Sequence, residues 1–248
     1  VSGLLRPFAR VWGRSLAELT LEVPDPIGRG FLHRPIAGRG FVSADAEPVV
    51  APSSAQPALV RLRPVWGRDH WRVDDVRRVN HDWLAPWDAT LPPGTDDELS
   101  DIGAYARRTD RDQSKKRALV MLAEIDGEIA GQFSLSNVVH GAMSQGMLGY
   151  WMCERWAGWG VGSLCTALMI DLVIGELGLH RIEIDVRPEN GPSMGLCRKL
   201  GLHLEGLRPR FMHIAGKWAD HHCFSIDAES LPEGGLVRAV WGGDATLL

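Results

Sequence analysis

Long hydrophobic runs are missing from this chain: none approaches the roughly 20 residues that a bilayer-spanning helix requires. The first residues also lack a continuous apolar core followed by a small-residue cleavage site, so no export signal is read there and the expected location is the cytoplasm. Cysteine is scarce. Cys153, Cys165, Cys197 and Cys223 form neither a C-x-x-C pair nor a short metal-ligand spacing. A chain of 248 residues buries a core large enough to dispense with disulfide staples, so the four are read as reduced thiols. Excess charge is lacking too. A formal net charge of −4 and a pI near 6.1 leave no global attraction to nucleic acid or to an anionic membrane, and neither is an expected direct partner. His213, His221 and His222 do not fall into a ligand arrangement, and no metal is assigned.

What is present divides the chain into three. Residues 1–57 are rich in Arg, Gly and Pro and end in the linker-like ADAEPVVAPSSAQPA; only SLAELTLEV looks like a regular element, and the segment reads as an extension of uncertain order. Residues 58–230 carry the regular patterning of one domain, and 231–248 read as a tail. Within the domain a strand is expected at 58–63, then a helix presenting Trp71, Val76, Val79 and Trp83. WLAPWDATLPPGT is a proline-broken loop, and a second helix is expected to turn Leu99, Ile102 and Tyr105 inward. Asp126-Gly127 sits between two strand-like runs and marks a tight hairpin. GMLGYWMC is a further strand. HRIEIDVRP alternates apolar Ile182, Ile184 and Val186 with polar Glu183, Asp185 and Arg187, and a last strand pair turns at Ala215-Gly216-Lys217. The fold class is α/β, without internal repeats.

Three glycines at alternate positions, Gly158, Gly160 and Gly162, stand between a strand and an apolar-periodic helix. Glycine lets the backbone approach a ligand closely, and the first turn of a helix offers unpaired N–H groups to a phosphate. A tight strand-to-helix connection without ligand is the plain alternative. A Walker A loop is excluded because Ser163 and Leu164, not Lys and Ser/Thr, follow Gly162. A dinucleotide fingerprint fits poorly, since position 163 is Ser and Glu154–Ala157 separate strand from glycines.

GYWMCERWAGWGVGSLCTAL followed by HRIEIDVRPENGPSMGLCRKLGLHLEG resembles the acyl-CoA-binding core of the GNAT family of N-acetyltransferases, and within it the RimJ/RimL group, closest to RimJ. SLSNVVHG, WLAPWDAT, KLGL-x-LEG and GKWADH add to the likeness, which spans roughly 58–230. The resemblance implies a mixed, mostly antiparallel central sheet flanked by helices, and acetyl-CoA as cofactor. In that frame Tyr150, Trp151, Met152 and Cys153 form the strand that pairs with the pantetheine arm. The main-chain amides near Gly158, Trp159, Gly160, Val161, Gly162 and Ser163 hold the diphosphate. The motif Q/R-x-x-G-x-G/A reads Ala157-Gly158-Trp159-Gly160-Val161-Gly162, so the leading side-chain donor is replaced by Ala.

The same likeness places Ser193, three residues after Asn190, as the thiolate partner, while the Tyr of many relatives is Cys197 here. Asn190 and Ser193 are also good helix N-caps. The carboxylate that RimL-type enzymes carry before their Gly-Tyr-Trp is Met147, as RimJ also lacks it, leaving Asp185 and Glu124 as candidate bases through water, or as ordinary surface carboxylates. The acceptor implied by the resemblance is a protein N-terminal amine, Ser or Ala of a ribosomal protein. An α-amino group, with a pKa near 8, loses its proton far more readily than lysine. A small-molecule amine acceptor and a non-catalytic acyl-CoA-binding role are the rival readings. The basic run Arg107, Arg108, Arg111, Lys115, Lys116 and Arg117 reads as a solvated face.

Overall fold

The computed structural model describes residues 9–35, 56–95 and 101–242. The chain enters the fold through a short ladder of β1 (Arg10–Val11) with β2 (Arg14–Ser15), then a 3-10 turn at Ala17–Leu19 and β3 (Leu21–Pro24). β4 (Leu59–Pro64) leads to α1 (Asp69–Val79), the single turn α2 (His81–Leu84) and α3 (Ile102–Ser114). β5 (Leu119–Ile125), β6 (Glu128–Val139) and β7 (Gln145–Met152) follow as a meander. α4 (Val161–Ile170) runs on as a π-helical turn over Asp171–Glu176, followed by β8 (Arg181–Val186) and α5 (Gly191–Lys199). β9 (His203–Ile214), β10 (Lys217–Asp227) and α6 (Gly235–Trp241) complete the order.

Among the described residues the main sheet has eight strands in the order β3-β4-β5-β6-β7-β8-β10-β9. Every neighbouring pair is antiparallel except β7 with β8. The expected hairpin is present: Asp126 and Gly127 take φ of 51° and 86°, and the Asp126 carboxylate also accepts from the Ala58 and Leu59 amides. β5 is buried along its whole length because both faces are covered. Leu119, Met121, Ala123 and Ile125 join the larger core with α4, while Val120 and Leu122 join Val65, Val73 and Ile129 under α1.

Three sequence expectations are corrected. First, α1 buries His70 and Val73, whereas Trp71 and Val79 are exposed and Trp83 lies beyond the helix end on α2. Second, α3 buries Gly103, Ala106, Thr109 and Gln113, while Ile102 is only half-buried and Tyr105, also half-buried, packs edge-on against His70 of α1; Leu99 lies outside the described residues. Gln113 explains the difference: fully buried, it donates to the Val65 carbonyl and accepts from the Val120 amide, so a polar residue serves as the contact to the sheet. Third, the boundaries at 57 and 231 do not separate packing units. Val11, Leu16, Leu19, Leu21, Val23, Phe31 and Leu32 share one core with α4 and the sheet, as do Leu236 and Val237 of α6. Asp171 fixes α6 by accepting from the Leu236 and Val237 amides.

Candidate active site

The parallel contact between β7 and β8 covers only Gln145 to Met147 against Arg181 to Glu183. Beyond it the strands part, since Ile184 to Val186 pair with β10 and Leu148 to Met152 pair with β6. Leu148 to Trp151 are thus left without a strand partner on the β8 side. That geometry offers main-chain groups to an extended ligand arm as another strand would. A cavity of about 300 Å³ opens there, walled by Tyr150, Trp151, Asp185, Asn190, Ser193 and His221 among others. The loop Ala85–Thr90 closes one side: Ala89 bridges Ile214, the Thr90 amide donates to the His213 carbonyl, and Trp87 stacks under the Arg187 guanidinium.

At the inner end of the gap the glycine loop turns into α4. Gly158 and Gly160 have φ of 78° and 91°, a region where any Cβ brings strain, and Gly160 is the N-cap of the helix without a side-chain cap. No side chain caps the first-turn amides, and residues 31–35 lie against the loop: the His33 amide donates to the Trp159 carbonyl, and a Cβ at Gly158 or Gly160 would meet Pro35 at 3.5 Å or the His33 ring at 3.4 Å. Gly162 faces Leu196 and Met152, where an added Cβ would make ordinary contacts at 3.5 and 3.8 Å. Trp159 and Val161 contribute backbone only: their side chains are buried, with Trp159 edge-on to Trp156. Cys153 likewise does not offer its amide, which donates to the Ala130 carbonyl, and the Met152 carbonyl accepts from Trp83 Nε1. Of the four expected strand residues, Tyr150 and Trp151 line the cavity.

Asn190 caps α5 by accepting from the Ser193 amide, at 3.2 Å, and so presents Ser193 to the cavity. The Ser193 hydroxyl lies 2.7 Å from the Tyr150 hydroxyl. Asn190 is therefore the cap, and the Ser193 hydroxyl is free of capping and holds the polar contact. Burial, with Cys197 nearby, pushes the Tyr150 phenol well above its ordinary value, so it stays protonated as a donor. Burial pushes the Cys197 thiol up to about 12, which keeps it neutral.

On the opposite wall Asp185 holds both carboxylate oxygens 3.1 Å from Arg208, which also reaches Glu183. Burial, with Glu183 adding, raises the Asp185 carboxyl to about 6 against the pull of Arg208. Glu124 does not reach the cavity. It is buried between β4 and α1, 2.9 Å from Arg63, in a cluster with Asp69 and Arg72, and its part as a base is withdrawn in favour of an ion pair that ties those elements together. His221, passed over in the sequence because it makes no metal pattern, is buried on the cavity wall with Nδ1 donating to the Ala219 carbonyl. The alternation Ala219, His221, Cys223, Ser225 along β10 carried that signal, for it puts His221 on the cleft face and His222 on the other.

An open strand gap and a serine–tyrosine pair around one cleft are matched by comparison with known proteins. Residues 39–203 match the family described as "Acetyltransferase (GNAT) domain". The chain belongs to the GNAT family. It is 28% identical over 166 residues to the [ribosomal protein uS5]-alanine N-acetyltransferase of Escherichia coli, covering 64% of this chain and 83% of that one. It is 31% identical over 125 residues to the probable N-acetyltransferase YjcK of Bacillus subtilis, covering 50% and 68%. The structure of Mycobacterium smegmatis RimJ in complex with CoA-disulfide aligns with a TM-score of 0.63 at 33% identity, over 70% of this chain and 84% of that one.

As a GNAT-family N-acetyltransferase related to RimJ-type enzymes, the protein uses an acyl-CoA, which supplies the activated acyl thioester when bound. The residues present fit such a donor. The uncapped α4 start suits a diphosphate, and the unpaired edge of β7 suits the arm. Among the described residues no helix is long and apolar enough to cross a membrane, and all four cysteines are unpaired. The basic residues of α3 and its C-terminal turn are exposed.

Proposed function

We propose that the chain transfers acetyl from acetyl-CoA directly to the α-amine of a protein N-terminus, Ser or Ala of a ribosomal protein being the acceptor class. The observation that carries this reading is the junction of the β7–β8 gap with the Ser193–Tyr150 pair in one cavity. One relative, the Escherichia coli enzyme, is named for ribosomal protein uS5 alanine, and this supports that acceptor class. In this reading the amides of Gly158 to Ser163 hold the diphosphate, and a main-chain N–H of β7 in the gap stabilises the oxyanion that develops at the acyl carbon. Ser193, backed by the Tyr150 hydroxyl, donates a hydrogen bond to the departing sulfur, and no side-chain nucleophile takes part.

Incubating the chain with acetyl-CoA and peptides differing in their first residue tests this by thiol release. Release is expected with Ser- or Ala-starting peptides and none with α-acetylated controls. Ser193→Ala is expected to lower kcat about tenfold with KM for the peptide little changed, since a single hydrogen bond to a charged group is lost. Background rates with every peptide, together with turnover of small amines, would move the acceptor to a small molecule. Saturable acetyl-CoA binding without turnover on any amine would make the chain a non-catalytic binder.

A further inference from the structure

The cleft has a thiolate partner on one wall, but the carboxylate that RimL-type relatives offer for the acceptor amine is Met147 here, and the two carboxylates considered in its place are both engaged. Glu124 is locked to Arg63 away from the cavity, and both oxygens of Asp185 face Arg208. Asp88 on the cavity wall is paired with Arg77, and His221 is the imidazole that lines the cavity. Its residue is only 3% exposed. Its Nδ1 sits 3.0 Å from the Ala219 carbonyl, and a carbonyl only accepts, so the ring proton is on Nδ1 and Nε2 carries the lone pair. Nε2 has no hydrogen-bond partner among the described residues. The Phe211 ring packs edge-on against the imidazole and fixes its plane.

We propose that His221 Nε2 is the group that takes the proton from the acceptor amine. The inference rests on the acetyl-transfer reading above and names the base that reading lacks. The acceptor ammonium gives one proton to Nε2. Its nitrogen then bonds to the acyl carbon as the carbon–sulfur bond breaks, and a second proton passes to the sulfur by way of the Ser193 hydroxyl. The third stays on the amide product, and the imidazolium returns its proton to water. The charged groups around the ring are Asp220 on its own strand, Arg208 across on β9, Arg187 and Glu189 after β8, and Asp185 and Asp88 on the cavity walls. Burial outweighs the acids among them and lowers the imidazole below its ordinary value, so it is neutral at pH 7.

Nitrogen-15 spectra of the free chain at pH 7 are expected to show His221 protonated on Nδ1 alone; the Nε2–H tautomer would overturn the assignment. His221→Ala is expected to lower kcat/KM for a Ser-starting peptide by about a hundredfold at pH 7. The loss should shrink as pH rises through about 8, where the α-amine deprotonates unaided. Affinity for coenzyme A by calorimetry should stay within about twofold, since the ring does not hold the diphosphate. His221→Gln covers the case in which the alanine variant does not fold, and the same loss and pH recovery are expected of it. A loss below about threefold, or one constant from pH 6 to 9, sinks the proposal. So does the same pH-dependent loss in Asp185→Asn with His221→Ala unaffected. A wild-type chain that acetylates no amine refutes the underlying reading instead.

Discussion

Gly160 sits at the start of α4 in a backbone conformation that favours glycine. Its φ of 91° strains any L residue, and an added Cβ would approach the His33 ring at 3.4 Å. A carboxylate there would also face the diphosphate that the α4 start is expected to hold, in place of the attraction of the helix end. Gly160→Glu is therefore expected to abolish coenzyme A binding, with no heat of binding in a calorimetric titration where the wild type saturates. An unchanged isotherm would show that the diphosphate lies elsewhere. The same loop made the sequence legible at this scale, because alternate glycines before an apolar helix constrain backbone rather than side chains. Trp159 was less so: its place among the loop residues is backbone alone, and its indole belongs to the core beside Trp156.

Elements set by short-range chemistry agree with the sequence reading: the Asp-Gly hairpin, the alternating β8, and the Asn190 cap of α5 all follow from neighbours within a few residues. Before residue 35, SLAELTLEV reads as a regular element and forms the 3-10 turn and β3, but the packing of the segment is not legible, since the residues around it are rich in Arg, Gly and Pro and their partners lie far along the chain. Leu21 pairs with Leu62, and Trp12 Nε1 donates to the Ala118 carbonyl. His33 bonds to the Trp159 carbonyl, bringing this segment against the glycine loop. Leu19, fully buried in the 3-10 turn, provides the test. Leu19→Ala is expected to destabilise the chain by about 2–5 kcal/mol in urea unfolding, the cost of truncating a core leucine. A loose appendage would give a change near zero.

Across the whole molecule the acidic groups pull the pH dependence of stability in two directions. Ion pairs hold Asp69 and Glu183 below their ordinary range, so their stabilisation is present above the unfolded carboxylate pKa and is lost as pH falls. Asp185 does the reverse: raised from 3.8 to about 6, it favours the protonated form in the fold, and ionising it erodes stability as pH rises between those values. Asp185→Asn removes that erosion. Its melting temperature relative to wild type is expected to climb from pH 4 to pH 7.5 in thermal scans. A difference independent of pH would mean that Arg208 fully offsets the burial of the carboxylate.

The sequence by itself determined the strand–glycine–helix cradle, the hairpins and the pairing of Asn190 with Ser193, because each is written in residues close together in the chain. Only the tertiary structure decided that Glu124 belongs to an ion pair beside α1, that Tyr150 backs Ser193, and that His221 lines the same cavity as they do. Those relations join residues far apart in the chain, and they arise from which strands part and which stay paired, a matter of long-range packing that local patterns do not encode.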